Sequence, residues 1–205
     1  MRDKLLVATL NPKKGSEMVE ILGAAGLDLD IVTLADFHGA PPVAETEETF
    51  LANAHLKARA AVALSGLTSI ADDGGLVIDA LDGAPGVHSH RFLGEESSFD
   101  EKMDRILDML RDVPEENRTC RFVCAVVIAT PDGRVFECER TCEGRIGREK
   151  RGSNGFGYDS IFLLPDQDRH MAELAPGEKH RISHRGKALA GAMPALRALF
   201  AAEQA

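Results

Sequence analysis

Tryptophan is absent from this chain, tyrosine occurs once, and phenylalanine occurs nine times in 205 residues. Val, Ile, Leu and Ala must therefore build most of the core. No apolar run has the length needed to span a bilayer, and residues 1–9 lead into an apolar strand without a signal-peptide core. Both absences place the expected location in the cytoplasm, away from membranes. Basic residues are the minority, with a net charge of −9. That excludes general nucleic-acid binding, which needs a basic face to release counterions. Cysteine appears four times, at 120, 124, 138 and 142, with no C-x-x-C spacing. The four flank the hairpin signal Thr130-Pro131-Asp132-Gly133. A metal clip or disulfide across that hairpin and four buried apolar thiols are both compatible with the spacing. Repeats, low-complexity stretches and long linkers are missing too.

What remains is an alternation of short apolar strands and amphipathic helices, which gives a mixed α/β sheet. Strands are expected at residues 5–9, 29–34, 68–71 and 76–79. A hairpin is expected over 121–129 and 135–141, and a last strand over 160–164. Helices are expected at 14–25, at 48–64 ended by Gly66, from a capping box at Ser98 and Glu101 to about Leu110, and from Ser183 to about residue 202. The length suits one domain, residues 1–205, or two lobes sharing a core.

Five segments carry candidate chemistry. In Ser69-Ile70-Ala71-Asp72-Asp73-Gly74-Gly75-Leu76 a strand is expected to end in paired carboxylates before a sharp glycine turn. Such a pair attracts a hard divalent cation, and it also suits a solvated acidic turn. Thr9-Leu10-Asn11-Pro12-Lys13-Lys14-Gly15-Ser16-Glu17 lies between a strand and a helix. Helix-start N–H groups, Thr9, Asn11 and Lys14 suit a phosphate chain, although the first glycine of a Walker A loop is missing. An exposed helix start fits equally. Glu45-Thr46-Glu47-Glu48 precedes the long helix, where acids favour the helix dipole; Glu45 also has the reach to share a cation with Asp72 or Asp73. Lys57, two turns into that helix, either points back toward the acids or lies along an apolar face. Gly155-Phe156-Gly157-Tyr158-Asp159 offers an aromatic face for a flat ligand, or a core phenylalanine in a turn. In Glu178-Lys179-His180-Arg181-Ile182-Ser183-His184-Arg185 a basic cluster opens a helix, against the dipole, as expected where a ligand is bound. Histidine spacing gives no zinc signature, so the cation implied is Mg²⁺ or Mn²⁺.

The ordered set resembles the inosine/xanthosine triphosphate pyrophosphatase family over essentially the whole chain. The markers are Thr9-x-Asn11-x-x-Lys14-x-x-Glu17, Thr49-Phe50-x-x-Asn53-Ala54-x-x-Lys57-Ala58, and Ala71-Asp72-Asp73-Gly74-x-Leu76. Asp79-Ala80-Leu81-x-Gly83-Ala84-Pro85-Gly86, Phe156-Gly157-Tyr158-Asp159 and Ser183-His184-Arg185 complete it. The resemblance implies an elongated α/β fold, two lobes with a central active-site cleft, a homodimer and Mg²⁺ dependence. It implies cleavage of ITP, dITP and XTP to monophosphate and pyrophosphate. Under it, Thr9, Leu10, Asn11, Pro12, Lys13 and Lys14 hold the triphosphate with Lys57. Asp73 is the catalytic acid/base and, with Glu45, a metal ligand. Phe156, Gly157, Tyr158, Asp159, Lys179, His184 and Arg185 take the base. Three positions depart from the family pattern. Gly74 stands where serine is frequent, so its contact is through backbone; Leu10 replaces a frequent glycine and Ser160 a frequent proline. The alternatives are a related pyrophosphatase acting on modified pyrimidine nucleotides and a non-catalytic nucleotide sensor.

Overall fold

The buried run Leu5-Leu6-Val7 makes β1 (Lys4–Val7). Continuous apolar character is what a strand covered on both faces requires, and β1 is paired in parallel on each side. Its partners are β2 (Asp30–Thr33), with Leu5 opposite Ile31, and β3 (Ser69–Ile78), with Leu6 opposite Ser69. These features belong to a computed structural model, which describes residues 3–37 and 39–202; the ends of the expected 1–205 domain lie outside the described residues.

The helices start and stop where side-chain chemistry dictates. Asn11 caps α1 (Pro12–Ala24), with proline at its first position. Thr49 caps α2 (Phe50–Ser65), and Gly66 ends it at φ 68°, the left-handed geometry glycine allows. Ser98 and Glu101 form the expected capping box of α3 (Phe99–Met109). The hairpin comprises β4 (Thr119–Ala129) and β5 (Val135–Ile146), turned by a Gly133 N–H to Thr130 carbonyl bond of 3.0 Å. Two short strands, β6 (Phe162–Leu164) and β7 (Arg169–His170), add on antiparallel, and α4 (Pro176–Ile182) and α5 (His184–Ala202) close the chain. The mixed seven-stranded sheet runs β2-β1-β3-β4-β5-β6-β7.

One expectation is overturned. The acidic stretch is not a turn between two strands: β3 is a single ten-residue strand through Asp72, Asp73, Gly74 and Gly75. Asp and Gly favour turns when their charge and backbone face water. Here β1 and β4 flank the segment, and each aspartate has its own cation, Arg185 for Asp72 and Lys57 for Asp73, so the strand continues. β7 and α4 were not foreseen.

Chain contacts divide the molecule into two compact units. The first comprises residues 1–73, 124–140 and 185–205. Its core is built from Leu5, Val7, Met18, Leu22, Ile70, Cys124, Val126 and Leu189. The second comprises residues 74–123 and 141–184; its core includes Leu76, Ile78, Ile106, Phe122, Ile146, Tyr158 and Phe162. All four cysteines are free thiols, Cys120, Cys124 and Cys142 buried and Cys138 partly buried, and no disulfide closes the hairpin. Among the described residues no helix is long and apolar enough to cross a membrane.

Candidate active site

Successive side chains on a strand point to opposite faces, and Asp72 and Asp73 accordingly meet different partners within the first unit. Asp73 Oδ1 accepts from Lys57 Nζ at 2.8 Å, and the same ammonium donates to Glu45 Oε1 at 3.0 Å. Asp72 Oδ2 accepts from Arg185 Nε at 3.0 Å and Nη2 at 2.9 Å, while Nη1 bonds Glu17 Oε2. Two carboxylate–cation–carboxylate groups result. Asp72 and Asp73 thus take different protein cations.

The pKa directions follow. Burial pushes Asp73 up, assisted by Glu45 and only partly offset by Lys57 and Lys14. Burial would also raise Glu45, but Lys57 outweighs it, Lys14 and a hydrogen bond with Asp73 add to the effect, and Glu45 ends below its usual value. Lys57 is raised: its burial opposes the charge, but Asp73, Asp72 and Glu45 prevail. Burial would raise Asp72 as well, yet Arg185, then Lys14 and Lys57, hold it well below the carboxylate range.

Asp73 Oδ2 and Asp72 Oδ1 are buried without a hydrogen-bond partner. An orphaned carboxylate oxygen next to a second carboxyl is a place for a divalent cation. Among the described residues no group of three or more His, Cys, Asp or Glu side chains is arranged to hold a metal. Mg²⁺ does not need one, since it takes one or two carboxylates and fills its shell with water and phosphate oxygens. Glu45 and Asp73 fit that demand.

Asn53 fixes Glu45's segment. It is fully buried, its side chain accepting from Glu47 N–H at 3.1 Å and donating to Glu47 carbonyl at 3.2 Å. Asn53 and Glu17 were not expected at the site. The signal for both was their place in the family markers, Glu17 three residues after Lys14 and Asn53 three after Phe50. At the start of α1, Asn11 Oδ1 accepts from the N–H groups of Lys13 (3.0 Å) and Lys14 (3.2 Å), so two donors expected for phosphate serve the cap here. Pro12, Lys13 and half-exposed Leu10 lie on the surface, and Thr9 and Lys14 are half-buried.

The second unit holds the aromatic residue. Phe156 is half-buried, not a core phenylalanine, and Lys179 Nζ lies 4.8 Å from its ring centroid. Asp159 Oδ2 accepts from Phe156 N–H at 2.9 Å and from Lys179 Nζ at 2.8 Å. Gly155, at φ 74°, leaves no room for a Cβ against that carboxylate, and Gly157 also has positive φ. His184 stacks on Phe122, 4.7 Å between centroids. Gly74 is half-buried in β3. Tyr158 is buried, with its hydroxyl on Ser89 carbonyl at 2.8 Å. The Arg185 guanidinium is buried on Asp72 and Glu17 within the first unit, which makes it a support for Asp72.

A family model described as the Ham1 family matches residues 5–195. The chain belongs to the Ham1 family. It is similar to the dITP/XTP pyrophosphatase of Exiguobacterium sibiricum, 47% identical over 91% of this chain and 93% of that protein. It is also similar to the dITP/XTP pyrophosphatase of Vibrio cholerae, at 43% over 91% and 92%. Among solved structures, the HAM1 protein of Coxiella burnetii superposes with a TM-score of 0.85 at 38% identity, covering 95% of this chain and 98% of that one. The nucleoside-triphosphatase/dITP/XTP pyrophosphatase of Mycobacterium abscessus gives 0.74 at 41%, covering 93% and 99%. Membership bears out the family resemblance and the mixed α/β sheet.

Proposed function

We propose that this Ham1 family member hydrolyses non-standard purine nucleoside triphosphates (ITP, dITP and XTP) to the monophosphate and pyrophosphate. The observation that carries the reading is the Asp73–Lys57–Glu45 group, with a buried, hydrogen-bond-free carboxylate oxygen on Asp73, in a chain whose relatives bear that activity in their names. A nucleotide sensor has no use for such a group.

In this reading residues 9–14 and Lys57 take the triphosphate. Glu45 and Asp73 would hold Mg²⁺, or Mn²⁺, which when bound supplies positive charge to the phosphate oxygens. Asp73 orients a water and accepts its proton as the oxygen bonds to the α-phosphorus and the bond to the pyrophosphate oxygen breaks. Lys14 and Lys57 neutralise the charge that gathers on the leaving pyrophosphate. Phe156 stacks on the purine, and Lys179 and His184 donate to its polar edge. A 6-oxo group accepts such donors; adenine sets an amino donor against them, and a buried unpaired donor is rejected strongly. Arg185 keeps Asp72 ionised and in place. On the family resemblance we also propose a homodimer. A cytoplasmic location without nucleic-acid or membrane partners is part of the same proposal, and the acidic charge supports the lack of nucleic-acid binding.

Pyrophosphate release from ITP, dITP, XTP, GTP, ATP and dUTP, with and without Mg²⁺, tests the reading. Fast release from the first three that stops on chelation is expected. Preference for dUTP, or no release at all, refutes it. Asp73→Asn should lower turnover by at least about 10³-fold with nucleotide binding retained.

A further inference from the structure

Three of the sequence motifs meet at a residue outside the residues expected at the site. Ser89 is almost fully buried in the second unit. Its hydroxyl accepts from Leu76 N–H at 2.9 Å and donates to Gly86 carbonyl at 2.7 Å. Its own carbonyl accepts the Tyr158 hydroxyl at 2.8 Å. Leu76 lies in β3, Gly86 ends the Gly83-Ala84-Pro85-Gly86 loop, and Tyr158 sits between Phe156 and Asp159. Gly75 shows how close the approach is. A Cβ there would collide with Ser89 Oγ and stand 2.6 Å from Gly86 carbonyl, so the strand needs glycine at that point.

Packing alone does not call for these two hydroxyls. Alanine and phenylalanine would fill the same space, and Tyr158 already packs edge-on against Phe99, 5.2 Å between centroids at 86°. What the hydroxyls add is direction. One fixes the backbone of β3 to the Gly86 loop, and the other ties the Phe156–Asp159 segment to the same residue. Asp159 in turn holds both Phe156 N–H and the Lys179 ammonium. A slip at Tyr158 would therefore move the aromatic face and its charged edge together.

We propose that Ser89 and Tyr158 are positioning residues that set Phe156, Asp159 and Lys179 for the purine, and so govern nucleotide affinity and not phosphate chemistry. The role presupposes that this loop takes the base, as in the function proposed above.

Ser89→Ala and the near-isosteric Tyr158→Phe test it in the full chain with Mg²⁺. Each should raise KM for ITP about tenfold, the cost of one buried hydrogen bond, with kcat within about threefold of the parent. Inhibition by inorganic tripolyphosphate, which has no base, should stay within about twofold. An unchanged KM in both variants overturns the proposal. So does a loss of kcat accompanied by weaker tripolyphosphate inhibition. A readout independent of substrate comes from composition. Tyr158 is the only tyrosine and tryptophan is absent, so tyrosine fluorescence and alkaline phenol ionisation report this position alone. Burial pushes the Tyr158 phenol up. Loosening the loop by Ser89→Ala should bring that ionisation to lower pH and alter the emission; an unchanged spectrum and titration removes Ser89 as the anchor. Should the parent leave ITP intact, the purine reading fails and the base-directed role with it, while the Tyr158 titration still decides whether Ser89 holds the loop.

Discussion

Replacing Arg185 by methionine probes the Asp72 group most sharply. The guanidinium is buried, with Nε and Nη2 on Asp72 Oδ2 at 3.0 and 2.9 Å and Nη1 on Glu17 Oε2. Methionine fills much of the volume and leaves two carboxylates that are 1% and 8% exposed. Breaking a buried ion pair from one side costs about 3–5 kcal/mol. For a chain of this size each kcal/mol moves Tm by about 2–4 °C, so a fall of about 6–20 °C is expected at pH 7. The pH dependence has a definite sign. In the parent, Asp72 is held well below its usual range; its stabilisation is complete above the unfolded carboxyl value and is lost as pH falls below it. In the variant burial, the largest influence on Asp72, is opposed only by Lys14 and Lys57. Asp72 is then raised, folding takes up a proton, and the variant weakens as pH rises through that raised value. The gap between the two proteins should therefore be widest near pH 7 and narrow toward about pH 5. Differential scanning calorimetry in the presence of a chelator measures it. The triple change Glu17→Gln, Asp72→Asn, Arg185→Met should recover most of the loss, because no buried charge is left unpaired. A Tm within about 2 °C of the parent, or a gap that ignores pH, would show that these charges are solvated and not paired as described.

Lys57→Met removes the ammonium standing on Glu45 and Asp73. Mn²⁺ should bind more tightly by electron paramagnetic resonance while turnover falls about 10²–10³-fold; weaker Mn²⁺ binding refutes the assignment. Gly75→Ala meets Ser89 Oγ and Gly86 carbonyl and should cost roughly 1–3 kcal/mol in urea unfolding, whereas a neutral change shows that the contact yields. Cys120, Cys124 and Cys142 are buried and Cys138 only partly; burial, the largest influence, pushes Cys120 and Cys124 up. Near neutral pH a thiol reagent should label Cys138 alone until the chain unfolds, and mass spectrometry showing labelled Cys124 in the folded protein would contradict its burial.

Helix boundaries were legible because their signals are local. Asn11, Thr49, Ser98 with Glu101, and Gly66 satisfy or terminate backbone groups within four residues of themselves; Ser98 with Glu101 and Gly66 stand where expected, while Asn11 and Thr49 start their helices at Pro12 and Phe50 and not at the expected 14 and 48. The strand through Asp72-Asp73-Gly74-Gly75 was not legible. Locally those residues make a turn, and only β1, β4, Lys57 and Arg185, all distant in sequence, make a buried strand the better state. Phe156 and Lys179 were recognisable as residue types, but their 4.8 Å approach depends on Asp159, which the Gly155 backbone admits.

The sequence by itself determined the residue types: acids, lysines and an aromatic loop suited to a metal–nucleotide complex, and a family membership carried by their order. Tertiary structure alone decided which charges meet. Strand alternation sends Asp72 to Arg185 and Glu17 and sends Asp73 to Lys57 and Glu45, and the free energy of a buried charge depends on its nearest partner in space, which spacing along the chain does not specify.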